Sequence, residues 1–265
     1  MSAPYMVVLR RKPSKKFHVL LWNTKSDQII SGSWFTGKLY PKRCDISFDG
    51  KWMVYFAMGS GGKTWNGVCR LPSLKTIAEG DNGDTTYFGG GYWRDEKTLL
   101  VNGWEPRGQR IPFRVEPLVT EWGGEDLGVL IPRVERDGWI RAGDNYGRRK
   151  GWKNVAKPMV DQIGDDGWLL RPTPEHPALR TRYLGYLEHG YTFRFQLEGF
   201  PNLLDEQVDW ACWDSTGALI FSRLGIVSKC DLADLMKGRV TRSFNLELLE
   251  PGRRWQDIQG SAAAT

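Results

Sequence analysis

Apolar residues in this chain come in short runs separated by turns rich in Gly, Asp, Asn and Ser, the pattern of strands rather than of long helices. The runs predict strands over residues 5–9, 17–22 and 28–34, the last two joined by the polar turn Asn23-Thr24-Lys25-Ser26-Asp27. Strands follow at 44–48, 52–57, 67–71 and 74–78, with Gly59-Ser60-Gly61-Gly62 breaking the chain between the second and third of them. A second group starts near Tyr87 and runs through 99–101, 111–115 and 119–122. A later group covers 208–213, 218–221, 226–230 and 241–246, with a single helical turn expected at 231–236, before Gly238.

One phrase recurs along this pattern: an acidic turn followed at once by an apolar run. It reads Phe48-Asp49-Gly50-Lys51-Trp52-Met53-Val54-Tyr55, then Trp93-Arg94-Asp95-Glu96-Lys97-Thr98-Leu99. It returns as Arg136-Asp137-Gly138-Trp139-Ile140, Asp165-Asp166-Gly167-Trp168-Leu169 and Trp213-Asp214-Ser215-Thr216-Gly217-Ala218-Leu219. Anchors at 49, 95, 137, 166 and 214 are spaced by 46, 42, 29 and 48 residues. Three of the four intervals fit a repeat of ~40–50 residues, each copy a small sheet that buries its faces only against its neighbours. The short interval leaves two readings: a unit cut down to a hairpin, or two turns inside a single unit. The Gly-, Arg- and Lys-rich stretch 143–157 reads as an insertion there.

The segment Asp45-Ile46-Ser47-Phe48-Asp49-Gly50-Lys51-Trp52-Met53-Val54-Tyr55, and less closely 209–221, resembles the repeat of TolB-type and WD-repeat-like β-propellers. The WD-repeat subclass itself is not supported, because no Gly-His dipeptide occurs and Trp213-Asp214 is the sole Trp-Asp. The resemblance implies an all-β fold, a propeller of five or six four-stranded blades, one of them irregular around 133–160. Residues 1–260 would form this single domain, and 261–265 a disordered tail. The first unit shows three strands, so Trp255-Gln256-Asp257-Ile258 is expected to pair with it and close the ring.

Composition agrees with a β-rich chain. Among 265 residues there are 13 Trp and 31 Gly, and hydrophobic residues make up 40%. Net charge is +6, which permits an anionic partner without requiring one. Cys44, Cys69, Cys212 and Cys230 include no Cys-x-x-Cys pair, and no long apolar run is present. A cytoplasmic protein with reduced cysteines and no membrane contact is expected.

Candidate chemistry is sparse. His18 lies in an apolar strand, His176 in the loop Pro172-Thr173-Pro174-Glu175-His176-Pro177, and His189 in a Glu-His-Gly turn; none has metal-ligand spacing. Gly59-Ser60-Gly61-Gly62-Lys63-Thr64 ends like a phosphate-binding loop, but Ala57 stands where its first Gly belongs and no helix pattern follows. Asp49, Asp81, Asp84, Asp95, Asp165, Asp166 and Asp205 all fall at turns, where Asp serves the local backbone. Neither a metal nor an organic cofactor is expected.

Basic residues cluster at Arg10-Arg11-Lys12 and, with aromatics between them, over 133–157. Arg136, Trp139, Arg148, Arg149, Lys150, Trp152 and Lys153 are the candidate partner-binding residues of that second cluster. Such a set suits a solvated surface, an acidic protein partner anchored by Trp and Arg, or a nucleic-acid groove. Trp65, Trp104, Trp122 and Trp152 lie near Gly- or Pro-rich loops and are the tryptophans expected at the surface. The leading expectation is a non-catalytic scaffold that presents an Arg- and Trp-rich loop face to a protein partner in a larger complex. Two alternatives stand beside it: a nucleic-acid-contacting subunit, and a carbohydrate-active propeller enzyme using paired carboxylates.

Overall fold

The computed structural model describes residues 3–12, 15–108, 111–120, 125–142, 167–187 and 190–252, and within them strands assemble into five sheets. The first is a meander of β1 (Tyr5–Lys12), β2 (Lys16–Asn23) and β3 (Gln28–Thr36). The second is built on β5 (Asp45–Ile46), β6 (Trp52–Met58), β7 (Thr64–Arg70) and β8 (Thr76–Asp81), with β4 (Lys38–Leu39) and β11 (Arg107–Gly108) at its margins. The third holds β9 (Gly91–Asp95), β10 (Thr98–Val101) and β12 (Arg114–Pro117). The fourth runs in order through β13 (Ile140–Ala142), β14 (Gly167–Leu170), β15 (Leu179–Leu187) and β16 (Gly190–Leu197). The fifth does the same with β17 (Val208–Trp213), β18 (Leu219–Arg223), β19 (Ile226–Cys230) and β20 (Arg242–Asn245). The chain is all-β, as the run pattern requires. Among the described residues no helix is long and apolar enough to cross a membrane.

Contacts gather in two units, Met1–Asp137 with Leu248–Thr265, and Gly138–Glu247. In the first, β6 is apolar on both faces because both are covered. Met53, Tyr55 and Ala57 pack with Phe17, Leu39 and Cys44, backed by Val7, Leu9 and Phe35 of the first sheet. Val54 points the other way, with Val68, Ala78, Trp93, Leu99 and Val101. In the second unit, buried Phe195 of β16 meets Trp210 of β17 edge to face, 5.6 Å between centroids.

The acidic turns stand where the recurrence places them. Asp49 lies between β5 and β6, Asp95 ends β9 at its turn into β10, and Asp214 lies between β17 and β18, each time between antiparallel neighbours. Each carboxylate accepts from the backbone two residues on: Lys51 N at 3.1 Å, Lys97 N at 2.9 Å, Thr216 N at 2.9 Å. Asp214 also takes Ala218 N at 2.8 Å and the Thr216 hydroxyl at 2.7 Å. Asp137 stands before β13 of the fourth sheet, and position 166 lies outside the described residues.

Four features differ from the strand pattern. A helix, α1 (Leu127–Arg136), precedes Asp137; it buries Val129, Leu130, Ile131 and Val134 despite Pro132 within it. Burial of that apolar stripe and the ion pairs of Arg136 outweigh the helix-breaking proline. The third sheet starts at Gly91 rather than near Tyr87. Its β12 runs parallel to β10, because the chain first crosses to pair β11 with β8. Val119 and Thr120, expected in a strand, lie outside one, and Val119 is exposed. The pairing expected of 255–258 lies outside the described residues.

Candidate functional site

Of the residues singled out in the basic cluster, Arg136 and Trp139 are described; Arg148, Arg149, Lys150, Trp152 and Lys153 lie outside the described residues. The two described side chains are turned inward. Trp139 is buried. Arg136, at the end of α1, donates to both Asp45 oxygens at 2.5 and 3.2 Å, to Asp137 Oδ1 at 2.7 Å and to the Trp93 carbonyl at 2.5 Å. Burial works against its charge, but Asp45 and Asp137 more than offset this and raise its pKa. Its guanidinium also lies over the rings of Phe48 and Tyr92. Arg133 of the same helix donates to the Cys44 carbonyl. Together these bonds fix α1 on the second and third sheets.

A second buried arginine positions the most exposed aromatic face among the described residues of this unit. Arg43 closes the 3-10 turn Pro41–Arg43 and is 3% exposed. It pairs with Asp126 Oδ1 at 2.7 Å and donates to the Thr86 and Phe88 carbonyls at 2.8 and 3.4 Å. Buried Asn66 of β7 ties the same loop to another. Its amide donates to the Asn102 and Trp104 carbonyls at 3.1 and 2.9 Å, and its oxygen accepts from Gly90 N at 2.6 Å. Asn82 Oδ1 accepts from Trp104 N at 3.1 Å, and Thr64 Oγ1 donates to the Thr85 carbonyl at 2.7 Å. Gly90 has φ +89°, and a Cβ there would sit 2.4 Å from Arg43, so the loop lies against the arginine only as glycine.

Loops 81–90 and 102–106 are thus held by buried polar side chains while their aromatic residues face out. Trp104 is 68% exposed, Phe88 47% and Tyr87 40%. Tyr87 and Phe88 stack edge to face at 4.9 Å, and Gly103, next to Trp104, lies against Phe88. Trp104 is one of the tryptophans expected at the surface; Trp65 is half-buried in the core of the first two sheets. Tyr87 and Phe88 were missed because they read as the start of a strand. The signal lay in the company they keep, Asn82-Gly83-Asp84 before them and Gly89-Gly90-Gly91 after, which is loop chemistry.

Two of the histidines make packing contacts, while His189, Asp165 and Asp166 lie outside the described residues. His18 is fully buried and stacks on Trp34 at 4.3 Å. His176 bonds the Thr173 hydroxyl and the Gly217 carbonyl and packs edge-on to Trp213. The four cysteines are buried thiols, and burial pushes Cys44 and Cys69 up to about 12. A cleft of ≈ 270 Å³ on the fifth sheet is lined by Phe221, Arg223, Ile226, Ser228 and Ser243 among others, with no carboxylate in its lining. Arg223 there is paired with Asp205 at 2.6 Å. Among the described residues no three His, Cys, Asp or Glu side chains gather as a metal site would need. Comparison with family models, with curated proteins and with solved structures finds no match to this chain.

Proposed function

We propose that this chain is a non-catalytic interaction protein of β-propeller type that docks a protein partner on the face formed by Tyr87, Phe88 and Trp104. The observation that carries the reading is the contrast between the side chains and their support. Large aromatic residues in water are unfavourable, yet here they sit on loops pinned by Arg43, Asn66, Asn82 and Thr64. A pre-ordered aromatic surface loses little conformational freedom on binding, and Trp and Tyr are the usual anchors of protein interfaces. The propeller reading draws on the sheets themselves: the fourth and fifth are four-stranded meanders, and an acidic turn joins two antiparallel neighbours in three of the five.

The test is affinity capture from the source cell with the wild-type chain, Trp104→Ala and Phe88→Ala, each checked by thermal unfolding. A partner held in stoichiometric amount by wild type and lost by both folded variants is expected. Equal recovery with all three would overturn the proposal.

A further inference from the structure

We infer that the Tyr87–Phe88–Trp104 face takes a Lys- or Arg-bearing segment of its partner; the inference rests on the proposed docking function of that face. The sequence is basic overall, with net charge +6, but the two loops that carry the aromatic residues are not. Residues 81–90 and 102–106 contain Asp81, Asp84 and Glu105 and no Lys or Arg. All three carboxylate residues are exposed. Asp81 accepts from Gly83 N at 2.7 Å through one oxygen. Glu105 directly follows Trp104, and Asp84 lies three residues before Tyr87. The cations next to the face are Arg43, buried behind the loop and paired with Asp126; Lys63, beside Thr64 whose N–H donates to the Gly83 carbonyl; and Arg107 at the start of β11.

Exposed, electron-rich ring faces on loops that also carry exposed carboxylates attract a cation in two ways at once. The ring quadrupole contributes about 0.5–1 kcal/mol at an exposed site, and the carboxylates add a Coulomb attraction that salt screens. Tryptophan gives the strongest such contact, and Trp104 is the most exposed of the three. The same carboxylates repel a phosphate backbone, so aromatic stacking of nucleic-acid bases is disfavoured here although the rings alone would allow it.

A fluorescein-labelled Arg-Gly repeat peptide is the probe, followed by fluorescence anisotropy at low and moderate salt. A Glu-Gly peptide and a single-stranded oligonucleotide of similar length are the comparisons. Salt-sensitive binding of the Arg-Gly peptide alone is expected. It should weaken at least about three-fold in Trp104→Leu and in Asp84→Asn with Glu105→Gln, and be largely kept in Trp104→Phe. Equal binding by all variants, or tighter binding of the oligonucleotide or the Glu-Gly peptide, would overturn the inference. Capture separates it from the reading beneath. A partner lost by Trp104→Ala but kept by the carboxylate variant, and not displaced by the Arg-Gly peptide, refutes the cationic segment and leaves the docking face standing. If no partner depends on Trp104, the docking reading falls as well.

Discussion

Arg136 holds Asp45 through both carboxylate oxygens across 91 residues of chain, with the Asp45 carboxylate also accepting from Trp93 N at 2.8 Å. Side-chain exposures of 12% and 7% mean that both charges have left water. A buried pair of this kind adds little net stability against an apolar replacement, but losing one partner strands the other. Arg136→Gln should therefore destabilise the first unit by about 3–5 kcal/mol, read from urea unfolding. Asp45→Asn should cost a similar amount, and the double variant less than the sum of the two. Additive losses would show that the pair is not coupled.

Gly32 of β3 makes a contact that no other residue tolerates. Its ideal Cβ position lies 2.0 Å from the Pro72 carbonyl oxygen and 2.6 Å from Pro72 Cβ. The adjoining Ser33 N donates to that same carbonyl at 3.2 Å, and Ser33 Oγ accepts from Leu74 N at 2.9 Å. The β7–β8 connection is thus laid directly on the first sheet. Gly32→Ala must push the two apart, with an expected loss of about 1–3 kcal/mol. Gly61→Ala, where no atom lies within 4 Å of the added Cβ, should be nearly neutral in the same melt.

His18 predicts a pH dependence. Burial lowers its pKa from 6.5 to about 4, against a smaller raising effect of the Gly32 backbone. Arg10 stands opposite it in the register of β1 and β2. A depressed histidine pKa means that the unfolded chain binds the proton first as pH falls. Its neutral, buried form therefore supports the fold fully above pH ~6.5, and that support is lost progressively from there down to about pH 4. His18→Phe keeps the stack on Trp34 and removes the titration. Melting temperature should then fall less steeply between pH 6.5 and 4 in the variant than in wild type. Parallel slopes would show that His18 does not govern acid sensitivity.

The strands and acidic turns were legible because their causes are local. Asp214 binds Thr216 N and Ala218 N within its own turn, and β6 shows its apolar run on five consecutive positions. What the sequence hid depends on partners distant in the chain. Arg136 reads as a free cation until Asp45 is seen beside it, and α1 reads as irregular until its apolar stripe and ion pairs fall on the sheets. The parallel β12 is hidden in the same way, since nothing local says that β11 will leave to pair with β8. Trp104 could be picked out by its Gly and Pro neighbours. Tyr87 and Phe88 are harder to pick out, because an aromatic pair before a strand looks like its beginning, and only the Asn-Gly-Asp and Gly-Gly-Gly flanks mark them as loop residues.

Asp214 offers the cleanest test of the recurring turn. One oxygen of its carboxylate takes two backbone N–H groups and the Thr216 hydroxyl, and the residue is 8% exposed. Asn keeps an oxygen acceptor at that position, whereas Ala leaves the Thr216 and Ala218 N–H groups without it. A buried donor that loses its acceptor costs about 1–3 kcal/mol. Asp214→Ala should therefore destabilise the second unit by at least that amount, and Asp214→Asn by clearly less. Because the carboxylate serves its own turn, neither change should alter binding at the face around Trp104. A variant in which Asp214→Asn is as damaging as Asp214→Ala would mean that the charge, rather than the acceptor geometry, holds the turn.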